Sequence, residues 1–288
     1  MFRLASKFRP ESEAFENVRA AGFRGAELWL GADVLADWRN VLATAHAYPL
    51  FYAVHFPNEP DLDAGAVEQA AWLYRELDCS ALVIHQDPFD LHGSLLSLLV
   101  PGIRIAVENH ALNRSAFAAW AQHNPGLALD VEHLWQLTLD NAPLADLLAF
   151  LRCFLREFGD KLRHVHLPGY QPGGQEHRPL YHNPELAREV FSALAEFGYT
   201  GMVVSEADVS HQRPDDLRRD VALYRDWFDH HSVPCPTEWL HVPPAGGMLQ
   251  PLHGREPVQP ASALAREMAQ SSVLLRPEAN SNLRGLPG

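Results

Sequence analysis

The sequence predicts an α/β protein built as a single (β/α)8 barrel, the TIM-barrel architecture, with a proline-rich tail. Three observations lead there. Over residues 1–231, eight short runs rich in apolar, β-branched and aromatic residues alternate with longer segments of helical spacing, one pair about every 25–30 residues. Side chains able to bind metal or carry protons stand at the carboxyl ends of those runs. The composition then breaks at Ser232, and the last 57 residues hold nine prolines and a single aromatic, Trp239.

Each element has a local reason. The strand runs are residues 2–5, 25–30, 50–56, 81–85, 103–108, 127–130, 162–167 and 201–206. Continuous apolar runs of this kind suit strands covered on both faces, as in a parallel sheet. The helical segment 11–21 precedes Gly22, a good C-cap, and 64–77 places Val67, Ala70, Ala71, Tyr74 and Leu77 on one stripe. Segments 143–158 and 184–197 both open on proline, which is tolerated at the first helical position. Asn183 is a natural N-cap for the second of these and Gly198 a natural stop; segment 214–230 closes the series. Eight βα units in about 230 residues make a compact barrel. An open doubly wound sheet would usually need fewer strands, and no Gly-x-Gly-x-x-Gly follows the first strand. Residues 232–288 cannot bury enough apolar surface to offset the entropy of ordering them, so they read as a mostly disordered tail with one short helix at 261–270.

The charge and cysteine content narrow the function. The formal net charge is −13, and the four glutamates and four arginines of the tail cancel, so the excess belongs to residues 1–231. A chain this acidic is ill suited to hold a phosphate backbone by bulk attraction, although a local metal cluster can still do so. Cys79, Cys153 and Cys235 are too few and too scattered for a disulfide framework or a cysteine zinc site. The first residues lack the apolar stretch of a signal peptide. The best apolar run, 95–107, is broken by Pro101, Gly102 and Arg104, short of a membrane span. The expected compartment is the cytoplasm. The expected partner is a small-molecule substrate rather than nucleic acid or a membrane, with a homo-oligomer left open.

Histidine is abundant, 16 residues against 23 Lys plus Arg, and its placement is informative. Glu27 lies on the second strand run. His55, His85, Glu108 and Asp130 end the third to sixth, His164 and His166 end the seventh, and Glu206 ends the eighth; His133 follows Asp130 by three residues. A single histidine or glutamate at a strand end is ordinarily structural or solvated. Six of eight strands ending in His, Asp or Glu at one depth is a different matter, because in a barrel those ends converge on the face where active sites are built. Carboxylates gathered there would repel one another and neutral imidazoles would lack partners; a divalent cation removes both problems. The mixed oxygen and nitrogen set suits zinc, manganese, cobalt, iron or magnesium without choosing among them. The loop 168–182, with Gly169, Gly173 and Gly174, carries Tyr170, His177, Arg178 and His182 and reads as a substrate lid, with Arg178 able to meet a phosphate or carboxylate. Lys7 is a weaker candidate for the same task, and Trp29 and Phe56 are candidates to line a substrate pocket.

The motifs Ala26-Glu27-Leu28, Val54-His55, Ile84-His85, Val107-Glu108-Asn109, Leu129-Asp130-Val131-Glu132-His133, His164-Val165-His166-Leu167 and Ser205-Glu206 stand in an order that resembles the xylose isomerase-like TIM-barrel superfamily. That superfamily holds sugar phosphate isomerases and epimerases and the apurinic-site endonucleases. The resemblance covers about residues 1–231. In the isomerase and epimerase branch it implies one divalent ion on Glu108, Asp130, His166 and Glu206. Glu108 and Glu206 then act as acid and base through a metal-stabilised enediolate, with His55 and His85 on the substrate; Glu27 and Arg178 are further substrate-binding candidates. In the endonuclease branch it implies a multinuclear zinc site that cleaves a phosphodiester, with His55, His85, His133 and His177 as additional ligands. Gln175 stands where that branch has an aspartate, and Pro168-Gly169 stands where the isomerases often have one. The function the resemblance implies is a metal-dependent isomerase or epimerase of a sugar, keto-sugar or polyol, with the phosphodiesterase as the alternative.

Overall fold

The structure is a computed structural model that describes residues 1–59 and 62–231. The chain divides into two units, Met1–Val233 and Pro234–Gly288. The tail and the helix expected at 261–270 lie outside the described residues.

Eight strands form a closed barrel in chain order. They are β1 (Arg3–Phe8), β2 (Gly25–Trp29), β3 (Phe51–His55), β4 (Leu82–Ile84), β5 (Ile105–Glu108), β6 (Leu127–Asp130), β7 (Leu162–His166) and β8 (Met202–Ser205), each parallel to its neighbours, with β8 returning to β1. The first strand is longer than the 2–5 the sequence predicts, which puts Lys7 on the strand itself. Ten helices are described: α1 (Ser12–Ala21), α2 (Ala32–Ala36), α3 (Trp38–His46), α4 (Ala64–Glu76), α5 (Gln86–Leu99), α6 (Arg114–His123), α7 (Val131–His133), α8 (Leu144–Phe158), α9 (Pro184–Glu196) and α10 (Pro214–His231). A single π-helical turn, Leu134–Thr138, extends α7. Gly22 ends α1 at φ +96°, a left-handed backbone that suits glycine, and the Asn183 side chain caps α9 by accepting from Leu186 N at 3.2 Å. No helix of the described residues is long and apolar enough to cross a membrane.

Strand side chains alternate between two environments. Leu4, Phe8, Leu28, Val54, Val107, Leu129 and Val165 belong to the large core between strands and helices. Their neighbours in sequence point into the barrel, where two small clusters lie: Ala5, Ala53, Met202 and Val204, and Ala81, Val83, Ala106 and Ala128. Alanine is common in this lower layer because a barrel axis has room for few large side chains. Two residues further along each strand, the same inward parity reaches the barrel's carboxyl end.

Candidate metal and active site

That parity assembles the site. Lys7, Glu27, His55, Glu108, Asp130 and His166 occupy inward positions on β1, β2, β3, β5, β6 and β7. His85 and Glu206 follow β4 and β8 by one residue. Asp130 also caps α7: its Oδ1 accepts from His133 N at 2.8 Å. The Asp-x-x-His spacing is thus a helix cap that places a histidine ring beside the aspartate, with Oδ2 of Asp130 3.6 Å from Nδ1 of His133.

His166 is the hub. Its Nδ1 lies 2.9 Å from Glu206 Oε2, 3.5 Å from Glu108 Oε2 and 3.8 Å from Asp130 Oδ2. Lys7 donates from Nζ to Glu206 Oε1 at 2.6 Å. Glu108 divides its oxygens between two sets of rings. Oε2 lies 3.1 Å from His55 Nε2 and 3.6 Å from His85 Nε2, while Oε1 lies 3.4 Å from His133 Nδ1. His110 stacks on His85 with 4.5 Å between ring centroids.

The electrostatics are those of a crowded buried ionic cluster. Burial works against the charge on Glu108, yet the charge of His166, and then His133 beside it, hold its carboxyl well below the usual range. Glu206 is also lowered, as His166 and Lys7 outweigh burial. Asp130 moves the other way, pushed up by burial and by Glu206 and Glu108. Burial disfavours the cationic forms of His166 and His133, but the surrounding carboxylates raise the first well above the imidazole range and the second to about 9. Burial and Lys7 lower His55.

With protein atoms alone this constellation is unsatisfied. Asp130 Oδ2, His133 Nδ1, His166 Nδ1 and Glu206 Oε2 are buried and have no hydrogen-bond partner among the described residues. His55 shows a related conflict: Nδ1 donates to the Phe56 carbonyl at 2.9 Å, so the neutral ring turns a lone pair at Nε2 toward the Glu108 carboxylate. A cation resolves each of these. The groups Glu108, Asp130 and His166, and His55, His85 and Glu108, each offer ligand atoms within 4.8 Å of one another, so the residues present fit a divalent ion. The cluster opens on a cavity of about 520 Å³ bordered by Lys7, Trp29, His85, Glu108, His133 and Glu206, a size that suits a small molecule.

No protein-family model matches the sequence, and no curated protein matches it. Solved structures do. A D-tagatose 3-epimerase-like protein superposes with a TM-score of 0.54 at 17% identity, covering 80% of this chain and 98% of that one. A D-allulose 3-epimerase from Methylomonas sp. gives 0.50 at 16% identity, covering 77% and 90%. A protein from Parabacteroides distasonis ATCC 8503 gives 0.50 at 12% identity, covering 78% and 98%. These likenesses show the fold. It is the closed (β/α)8 barrel that the sequence predicts.

The sequence-named residues divide by where the barrel puts them. Glu108, Asp130, His166, Glu206, His55, His85 and His133 come together. His177 reaches the same cavity from the 168–182 loop, its backbone N donating to Glu132 Oε2 at 3.1 Å. Glu27, expected on the substrate, is fully buried beneath His166, and both its oxygens are taken by histidine rings. His55 is fully buried as well and meets Glu108 rather than the cavity wall. Arg178, also expected on the substrate, spends its Nη1 on Gln175 Oε1 and His211 Nε2, each at 2.9 Å, and does not line the cavity. Tyr170 is core, donating to Asn141 Oδ1, and Gly169 lies so close to the Pro179 carbonyl that a Cβ would sit 1.9 Å from it, so the stem of that loop is pinned. Phe56 too is core, whereas Trp29 is 49% exposed at the cavity rim. The residues carry a signal in the sequence but three of their pairings do not: His164 with Glu27, Lys7 with Glu206, and His110 stacked on His85.

Proposed function

We propose that the protein is a divalent-metal-dependent isomerase or epimerase of a sugar, keto-sugar or polyol that works by proton transfer beside a carbonyl. The observation that supports this most is the gathering of the Glu108, Asp130 and Glu206 carboxylates within 3.8 Å of His166 Nδ1, beside a cavity of small-molecule size that Glu108 and Glu206 border. Glu108, Asp130, His166 and Glu206 would hold the ion. When bound, it supplies positive charge to the oxygens beside the reacting carbon.

The remaining chemistry belongs to the chain. Glu108 from β5 and Glu206 beyond β8 come from strands three apart around the barrel and flank His166, so one carboxylate would take a proton from the substrate while the other returns it on the other face. Lys7 holds Glu206 by its outer oxygen and leaves Oε2 to the site. Trp29 at the rim offers an apolar face to a sugar ring.

The test is incubation with ketohexoses, D-tagatose and D-allulose among them, in deuterium oxide. Proton transfer predicts a new stereoisomer or aldose carrying solvent deuterium at the reacting carbon. Glu108→Gln and Glu206→Gln should each lower the rate roughly 10²–10⁴-fold, and full activity in both would sink the acid–base pair. The His55, His85 and Glu108 group favours a second reading, a phosphodiesterase with more than one ion, which predicts hydrolysis of a phosphodiester and no deuterium exchange.

A further inference from the structure

We propose that Glu27 is a positioning residue of the metal centre, holding the His166 ring from below so that Nδ1 is the nitrogen presented to the ion. The inference rests on the metal reading above and deepens it.

Glu27 is 0% exposed, and it occupies the inward position of β2 that pairs with Lys7 and Ala53. A carboxylate so far from water must be compensated by its neighbours. It is met by two imidazoles from alternate positions of one strand. His166 Nε2 lies 3.1 and 3.0 Å from its two oxygens, and His164 Nε2 hydrogen-bonds Oε2. An ionised carboxylate only accepts, so both Nε2 atoms carry a hydrogen. Once the ring gives up its other proton to bind an ion, that leaves the lone pair on Nδ1, the atom facing Glu108, Asp130 and Glu206. Glu27 thus selects the tautomer and fixes the ring plane, and His164 keeps Glu27 from swinging away. A carboxylate behind a ligating histidine has this effect in metal sites generally.

A competing account is that Glu27, His164 and His166 themselves hold an ion, since their ligand atoms lie within 4.8 Å of one another. The surroundings oppose it. The Lys7 ammonium stands 3.7 Å from Glu27 Oε1, all three side chains are fully buried, and the His164–Glu27 contact is already closed as a hydrogen bond. A cation there would also take His166 Nε2 and strip Glu27 of its second donor.

The experiment is cobalt(II) titration of the full-length, chelator-treated protein, read by visible absorption, for wild type, Glu27→Gln and Glu27→Asp. A glutamine accepts through one oxygen only and turns an NH2 toward the other ring. Glu27→Gln should bind cobalt about 10- to 100-fold more weakly with an altered band shape. Glu27→Asp should fall between the two, and it carries the test if the glutamine variant does not fold. A merely structural role would lower the melting temperature of the chelated protein and leave affinity and spectrum alone. Wild-type affinity and spectrum in both variants would overturn the role of Glu27 and leave the metal reading standing. A wild type that binds no cobalt would overturn both. Two ions in the wild type, with one lost in Glu27→Gln, would make the buried triad a ligand set instead.

Discussion

Asn109 follows Glu108 directly, and its side chain is fully buried against the next strand. Nδ2 donates to the Asp130 carbonyl at 3.0 Å, and Oδ1 accepts from Asp130 N at 2.6 Å. One amide thereby ties the ends of β5 and β6, and so fixes two proposed ligands relative to each other. Removing it strands a buried N–H and a buried carbonyl, at roughly 1–3 kcal/mol each. Asn109→Ala is expected to lose about 3 kcal/mol in urea unfolding, and a loss below about 1 kcal/mol would show that water replaces the amide. At this scale the sequence was legible wherever parity alone decides: Glu108, Asp130 and His166 each sit at the inward end of an apolar strand. Parity also points Glu27 inward, but it does not say in which layer. Glu27 lies one layer below the cavity because the register pairs it with Ala53, two residues before His55. Register is a property of paired strands that a single strand's residues do not show.

Among the elements, the link from β8 to α10 carries an unusual buried acid. Asp220 of α10 is fully buried, accepting from Ser205 Oγ at 2.6 Å and from Tyr181 N at 3.1 Å. Burial raises its pKa to about 6 in spite of those hydrogen bonds. A raised carboxyl pKa favours the protonated fold, so this group's contribution is fully present below about pH 4. It is lost as pH climbs to about 6, and the loss is about 3 kcal/mol for a shift near two units. Against Asp220→Asn, the wild type should lose relative stability in chemical denaturation between pH 4 and 7; a difference constant with pH would mean Asp220 stays ionised in the fold. The helices show how far local signals reach. Gly22, Asn183 and Gly198 mark ends that the structure keeps, whereas no comparable local signal bounds α2, α3 and α5. In α5 the sequence opens Gln86-Asp87-Pro88 with His85 as the N-cap, and no capping side-chain bond is made there. The helix is held by packing of its apolar face, which tertiary contact decides rather than propensity.

At the scale of the whole molecule, the barrel closes within residues 3–231, and α10 packs back against α1, so both ends of the barrel sequence meet. A chain ending after His231 should therefore retain its melting transition and its metal content; unfolding of that truncation, or loss of its metal, would place residues 232–288 within the working structure. The architecture was legible because eight βα repeats leave few topologies open. The activity was less so, because a barrel does not fix a reaction and the same strand ends serve both branches of the resemblance. Metal content separates them. Elemental analysis of protein purified without chelators should find one divalent ion per chain, absent from a variant carrying both Asp130→Asn and Glu206→Gln. A chain that carries no divalent ion, with every variant behaving like the wild type, would contradict the metal centre on which the proposed chemistry depends.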